Sequence, residues 1–138
     1  MKKIIYALII PVFLHLSSCC YNYKESGNRT FMKSDEVKWE NAGEGVNRQV
    51  LGYDKRIMLV RVDFREKAVG AAHKHKHSQS SLILKGEFEV TIDGKTQTLK
   101  EGDAFFVPSG KDHGALCIKE GSILDAFSPA REDFLTRK

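Results

Sequence analysis

The chain has 138 residues, 41% of them hydrophobic and 29% charged, with a formal net charge of +4. That length accommodates one ordinary domain and little besides. The charge excess is small and no basic run with interleaved aromatics occurs, which argues against nucleic acid as a partner. Three cysteines, two of them adjacent at positions 19 and 20, exclude a disulfide framework.

Lys2 and Lys3 precede an apolar run from Ile4 to Leu16 that is too short to span a bilayer comfortably. The run ends in Leu16-Ser17-Ser18-Cys19 and resembles a bacterial lipoprotein signal. The resemblance implies that residues 1–18 are removed, that Cys19 is acylated, and that the protein sits in the cell envelope, held on a membrane by lipid. An uncleaved anchor or an ordinary secretion signal is the alternative. Without Lys2 and Lys3, 20 basic residues face 18 acidic ones, so the mature chain is nearly neutral. Residues 19–35 are polar and aperiodic and read as a tether, leaving one folded domain over 36–138.

Arg56 to Phe64 reads as a strand, with Met58, Val60, Val62 and Phe64 on one uniformly apolar face. Ser81 to Ile92 follows the same alternation, and Asp93-Gly94 before Thr96–Leu99 is a two-residue hairpin signal. Glu101-Gly102-Asp103 turns into a strand over Ala104–Val107, which Pro108 ends. Gly114–Ile118 and Ser122–Phe127 read as two further strands with a turn at Glu120-Gly121. No sustained helical period occurs in the mature chain, except in the few residues after Pro129. Many short strands in about one hundred residues imply an all-β sandwich or barrel. Cys117 falls in an apolar stretch and reads as a small buried side chain rather than a nucleophile.

The most unusual local feature is His73-Lys74-His75-Lys76-His77. On an extended segment residues two apart point the same way, so His73 and His75 can present imidazoles to one point. Neutral imidazole is a common ligand for first-row divalent ions. A solvated His/Lys loop is the alternative for the triplet alone.

The triplet does not stand alone. His75, three residues, Gln79, six residues and Gly86 resemble the first cupin motif, with glutamine where glutamate is usual. Gly102, five residues, Pro108, one residue, Gly110, two residues and His113 match the second motif up to its histidine. The resemblance implies a single-domain cupin over 36–138, a double-stranded β-helix or jelly-roll barrel. It implies one divalent metal ion held by His73, His75, Gln79 and His113. Ni, Zn, Fe, Co and Mn suit that donor set about equally. Two departures stand out: the first motif's leading glycine falls at Lys67, with the glycine at Gly70, so the segment before the ligands is expected to loop differently. Cys117 replaces an asparagine. His77 is left open as an exchangeable ligand, a supporting group or a substrate-facing one.

Gln79 donates a neutral carbonyl oxygen where glutamate would bring a negative charge, so a divalent ion keeps its full charge. Such a centre favours an anionic substrate and stabilises negative charge developing on oxygen. It is less suited to oxygen activation. A glutamine turned away from the metal is the alternative.

Asp125 and Phe127 share one face of the last strand, and Arg131 follows the turn at Pro129 with a planar fork matched to a carboxylate. A surface Asp125–Arg131 ion pair closing the barrel end is the structural alternative. Gly45–Asp54, His73 to Gln79, Gly86–Val90 and Asp125–Phe134 together resemble the KdgF-type pectin-degradation cupins. That resemblance implies an isomerase-type enzyme that linearises 4,5-unsaturated uronates, the products of pectin and alginate lyases, to open-chain ketouronates. It implies Asp125 and Arg131 as the catalytic pair, with Phe127 lining the site. Arg131 is expected to bind the substrate carboxylate, and His77 is kept as a substrate-facing candidate on its position alone. Cupins often pair through exposed strands, so a homodimer is expected. The competing readings are an acidic-sugar-binding cupin without catalysis and a small-molecule dioxygenase.

Overall fold

The computed structural model describes residues 30–136, so the signal segment, Cys19 and most of the tether lie outside the described residues. Eight strands follow in chain order: β1 (Glu40–Gly43), β2 (Val46–Tyr53), β3 (Met58–Phe64), β4 (Val69–His73), β5 (Ser78–Ile92), β6 (Lys95–Lys100), β7 (Ala104–Val107) and β8 (His113–Ser128). A single 3₁₀ turn, Glu132–Phe134, ends the described chain. Every strand pairing is antiparallel. The expectation of an all-β barrel holds.

Two long strands organise the barrel. The second half of β8 pairs with β3, and the first half pairs with β4. Likewise β5 pairs with β7 through its first half and with β6 through its second. Each therefore passes from one sheet, β1-β2-β3-β8-β5-β7, into the other, β4-β8-β5-β6. The turn expected at Glu120-Gly121 is absent, because β8 runs unbroken from His113 to Ser128. The glycine has a different purpose: β5 and β8 cross so closely here that a Cβ on Gly121 would collide with the Lys85 carbonyl. Opposite it, Gly86 has φ +89° and a Cβ there would lie 2.5 Å from the Lys119 oxygen. Both residues thus mark a bend with shifted register, where only glycine fits.

The local readings elsewhere are refined. Asp93 and Gly94 adopt φ of 50° and 77°, the left-handed pair that a two-residue hairpin requires. Strand β3 starts at Met58 because Asp54 Oδ1 accepts from the amides of Arg56 and Ile57, holding those residues in a turn. Lys67 itself takes φ +66°, so no different loop is needed before the ligands. Gly70 instead lies in β4 beside the Phe64 ring.

Alternation buries one side of the central strands β3, β5 and β8. Phe64, Ile83, Phe88, Val90, Cys117 and Ile123 form one core cluster, in which the Phe64 and Phe88 rings meet edge to face at 5.3 Å. Cys117 is fully buried, as its apolar setting suggested, and burial pushes its thiol pKa up. Met58, Val60, Phe127 and Ala130 form a second cluster, flanked by Phe134 and Leu135. Gln49, also fully buried, donates from Nε2 to the carbonyls of Ser34 and Val37, which fastens the start of the domain to β2.

Candidate metal centre and active site

His73 ends β4, His113 begins β8, and the two are paired in register, so strand pairing brings them together. His75 follows in the short connection to β5. The ligand atoms of His73, His75 and His113 lie within 4.8 Å of one another. Each ring is aimed by its other nitrogen. Nδ1 of His73 is 2.9 Å from the Ala71 carbonyl, that of His75 is 3.0 Å from the His77 carbonyl, and that of His113 is 3.0 Å from the Lys111 carbonyl. A carbonyl only accepts, so each Nδ1 carries a proton and donates it, which leaves Nε2 as the nitrogen turned toward the cluster. This backbone anchoring is the arrangement that orients metal-binding imidazoles. Nε2 of His113 is buried with no hydrogen-bond partner. Burial drives the His75 pKa down to about 4, assisted by the Arg131 charge, and lowers that of His113. Both rings are therefore neutral near pH 7, the form that binds metal. The residues present fit a divalent ion.

Gln79, at the start of β5, adds a fourth atom. Its amide nitrogen donates to Ser81 Oγ at 3.0 Å and to Asp125 Oδ1 at 3.1 Å, which fixes the amide orientation. Its Oε1 then lies 3.2 Å from His75 Nε2. At that separation Gln79 Oε1 and His75 Nε2 could both donate to one divalent ion.

Asp125 lies directly across β5 from Ser81. Ser81 Oγ donates to Asp125 Oδ1 at 2.6 Å, so this oxygen accepts two bonds while Oδ2 has no partner among the described residues. Burial pushes the Asp125 pKa up to about 6, against the opposing pull of those two bonds. The carboxyl can thus both accept and release a proton near neutral pH.

His73, Gln79, His113 and Asp125 line a pocket of about 330 Å³, with Phe127, Phe134 and two arginines, Arg48 and Arg131, at its wall. Arg131 is not paired with Asp125. Its Nε and Nη2 donate to the two oxygens of Asp133 at 3.0 and 2.7 Å, and its guanidinium lies 5.4 Å from the Phe127 ring centre and 4.2 Å from that of Phe134. That bond holds the Asp133 pKa down. His77 stands outside the triad, buried, with both ring nitrogens unpartnered and its centroid 5.5 Å from that of His75. Its main-chain carbonyl, rather than its ring, supports the metal site.

A cupin-domain model matches residues 60–126. The pectin degradation protein KdgF of Dickeya dadantii is 40% identical over 109 residues, covering 78% of this chain and 99% of that protein. The chain belongs to the KdgF family of cupins. Among solved structures, KdgF from a Halomonas species matches with a TM-score of 0.73 at 33% identity, over 77% of this chain and 98% of that one. An RmlC-like cupin from Shewanella frigidimarina matches with a TM-score of 0.75 at 44% identity, over 77% and 96%.

Several site residues of this KdgF-family chain escape a reading of the sequence. Ser81 could have been found, since it shares the Gln79 face of β5 by simple alternation. Asp133 and Phe134 had no signal beyond their place in the tail. Arg48, in β2, lines the same pocket and stacks 3.8 Å from the centre of the Phe134 ring, yet nothing in the chain order links it to the histidines.

Proposed function

We propose that this protein is a metal-dependent isomerase that opens 4,5-unsaturated uronates to ketouronates. The observation that carries the reading is a buried carboxyl, Asp125, that accepts a hydrogen bond from Gln79, whose Oε1 in turn faces the cluster of His73, His75 and His113. A divalent ion held by His73, His75, His113 and Gln79 would supply a positive charge that stabilises negative charge developing on the sugar oxygen. Asp125 takes the proton of the anomeric hydroxyl as its C–O bond becomes a carbonyl. The C1–ring-oxygen bond breaks, and its electron pair passes to the ring oxygen to give an enolate. Return of one proton at C4 yields the ketone, so the reaction is balanced without a co-substrate. Ser81 and Gln79 hold Oδ1 and leave Oδ2 for these transfers. Phe127 forms an apolar wall, and Arg131 adds positive charge beside it.

The test is ultraviolet monitoring of freshly generated unsaturated galacturonate and guluronate with metal-analysed protein. Loss of conjugated absorbance well above the spontaneous rate is expected, and it should stop on chelation. A rate equal to the spontaneous one would leave the non-catalytic sugar-binding reading. Oxygen uptake coupled to turnover would favour a dioxygenase.

The same proposal extends to location. Acylation at Cys19 would place the enzyme in the envelope beside secreted lyases, and mass spectrometry of membrane-extracted protein tests it. The apolar side chains exposed on the sheet that contains β3, β5 and β7, Leu59, Leu82 and Phe106, support pairing of two copies, to be read by light scattering.

A further inference from the structure

We infer that Arg48 is the residue that binds the substrate's carboxylate and so selects acidic sugars. The inference rests on the uronate reading above and names a specificity determinant within it.

Two guanidinium groups reach the pocket, and they are engaged very differently. Arg131 spends both donors of one edge on two oxygens of Asp133, and its side chain is only 10% exposed. That is a complete bidentate pair, with little reason to exchange partners. Arg48 directs both Nε and Nη2 to a single oxygen, Glu40 Oε2, at 3.3 Å each. Glu40 is 40% exposed in its side chain, and Arg48 is 22% exposed. A long, one-oxygen contact to a solvated carboxylate is weak and readily replaced. An incoming carboxylate can offer two coplanar oxygens to the same fork.

Placement supports the choice. Glu40 and Arg48 are register partners on β1 and β2, and Arg48 pairs with Val62 of β3, another pocket residue. The Phe134 ring lies against the Arg48 guanidinium at 3.8 Å and against that of Arg131 at 4.2 Å. The two cations are therefore no farther apart than the sum of those distances, and the aromatic ring fixes both. A uronate bound between them and the histidines has its carboxylate at Arg48 and its ring along Phe127. Glu40 then acts as a placeholder that the substrate carboxylate replaces.

The experiment measures initial rates on unsaturated galacturonate and on its methyl ester for the wild type, Arg48→Gln, Arg48→Lys and Glu40→Gln. Arg48→Gln is expected to raise KM about tenfold or more on the acid, with kcat within a few-fold, and to lose the preference for acid over ester. Arg48→Lys should fall between, because a point charge replaces the fork. Glu40→Gln should lower KM. Calorimetric titration with saturated galacturonate repeats the comparison without turnover, and melting curves check that each variant is folded. A folded Arg48→Gln with wild-type KM and unchanged acid-to-ester ratio overturns the inference. If the wild type itself fails to exceed the spontaneous rate, the uronate reading fails instead, and the two results are distinct.

Discussion

Asp125 carries opposing demands at a single side chain. A proton-transferring carboxyl needs a pKa near the working pH, and burial provides it by making ionisation in the fold costly. The rise from 3.8 to about 6 amounts to roughly 2–3 kcal/mol charged against the metal-free fold above pH 6, and to nothing below pH 4, where the group is protonated whether folded or not. Asp125→Asn keeps an acceptor for Ser81 and Gln79 but removes the charge. Metal-free Asp125→Asn is therefore expected to be more stable than the wild type by about 2 kcal/mol at pH 8, with the gain gone at pH 4, as read from urea midpoints. The same variant should lose at least about 100-fold in turnover with metal content unchanged. Retention of wild-type turnover would remove Asp125 from the mechanism. Asp125 was legible in the sequence through its place on the last strand. Ser81, which sets its reactive oxygen, became visible only once strand register put the two residues opposite each other.

At the level of elements, the fold turns on where the backbone enters the left-handed region. Lys67 does so at φ +66°, in the place the cupin pattern gives to glycine. An L-residue with a side chain is strained there, whereas glycine gives back part of the gain through its freer unfolded state. Lys67→Gly is expected to stabilise the protein by about 0.5–1 kcal/mol, a rise of a few degrees in Tm. No change or a fall in Tm would show that the turn tolerates lysine without cost. Gly86→Ala should act oppositely, since its methyl would sit 2.5 Å from the Lys119 oxygen where β5 bends past β8. A loss of at least about 3 kcal/mol is expected, measured by chemical denaturation. These glycines also explain what the sequence conceals. Strands, hairpin and motif spacing follow from alternation and turn chemistry, but Glu120-Gly121 looks like a turn because glycine commonly makes one. Only the neighbouring strand reveals that Gly121 is there for close passage. Arg48 and Arg131 show the same limit, because each takes its partner across strands or around a turn that alternation does not specify.

For the molecule as a whole, the metal site couples three separate chain segments, β4 with its following connection, the start of β5 and the start of β8, so ion binding is stability. In the metal-free fold His75 titrates at about 4 instead of 6.5, so the unfolded chain binds more protons between those values and stability falls as pH drops through that window. Asp125 works the other way: its folded form binds more protons between 3.8 and about 6, so its contribution falls as pH rises. The two slopes largely cancel in the wild type, and Asp125→Asn should expose the histidine slope alone. Added divalent metal at about 100 times its Kd should raise stability by about 2.7 kcal/mol near pH 7. Because burial lowers the pKa values of two of the ligands, His75 and His113, part of that increment should persist at pH 5.5, where free imidazole is largely protonated, and vanish toward pH 4, where His75 takes up its proton. Differential scanning calorimetry with and without metal across that range checks it. An increment lost already at pH 6.5 would mean that the burial of His75 and His113 does not protect the site from protons. His113→Ala, which removes the buried and otherwise unpartnered Nε2, should abolish the increment at every pH.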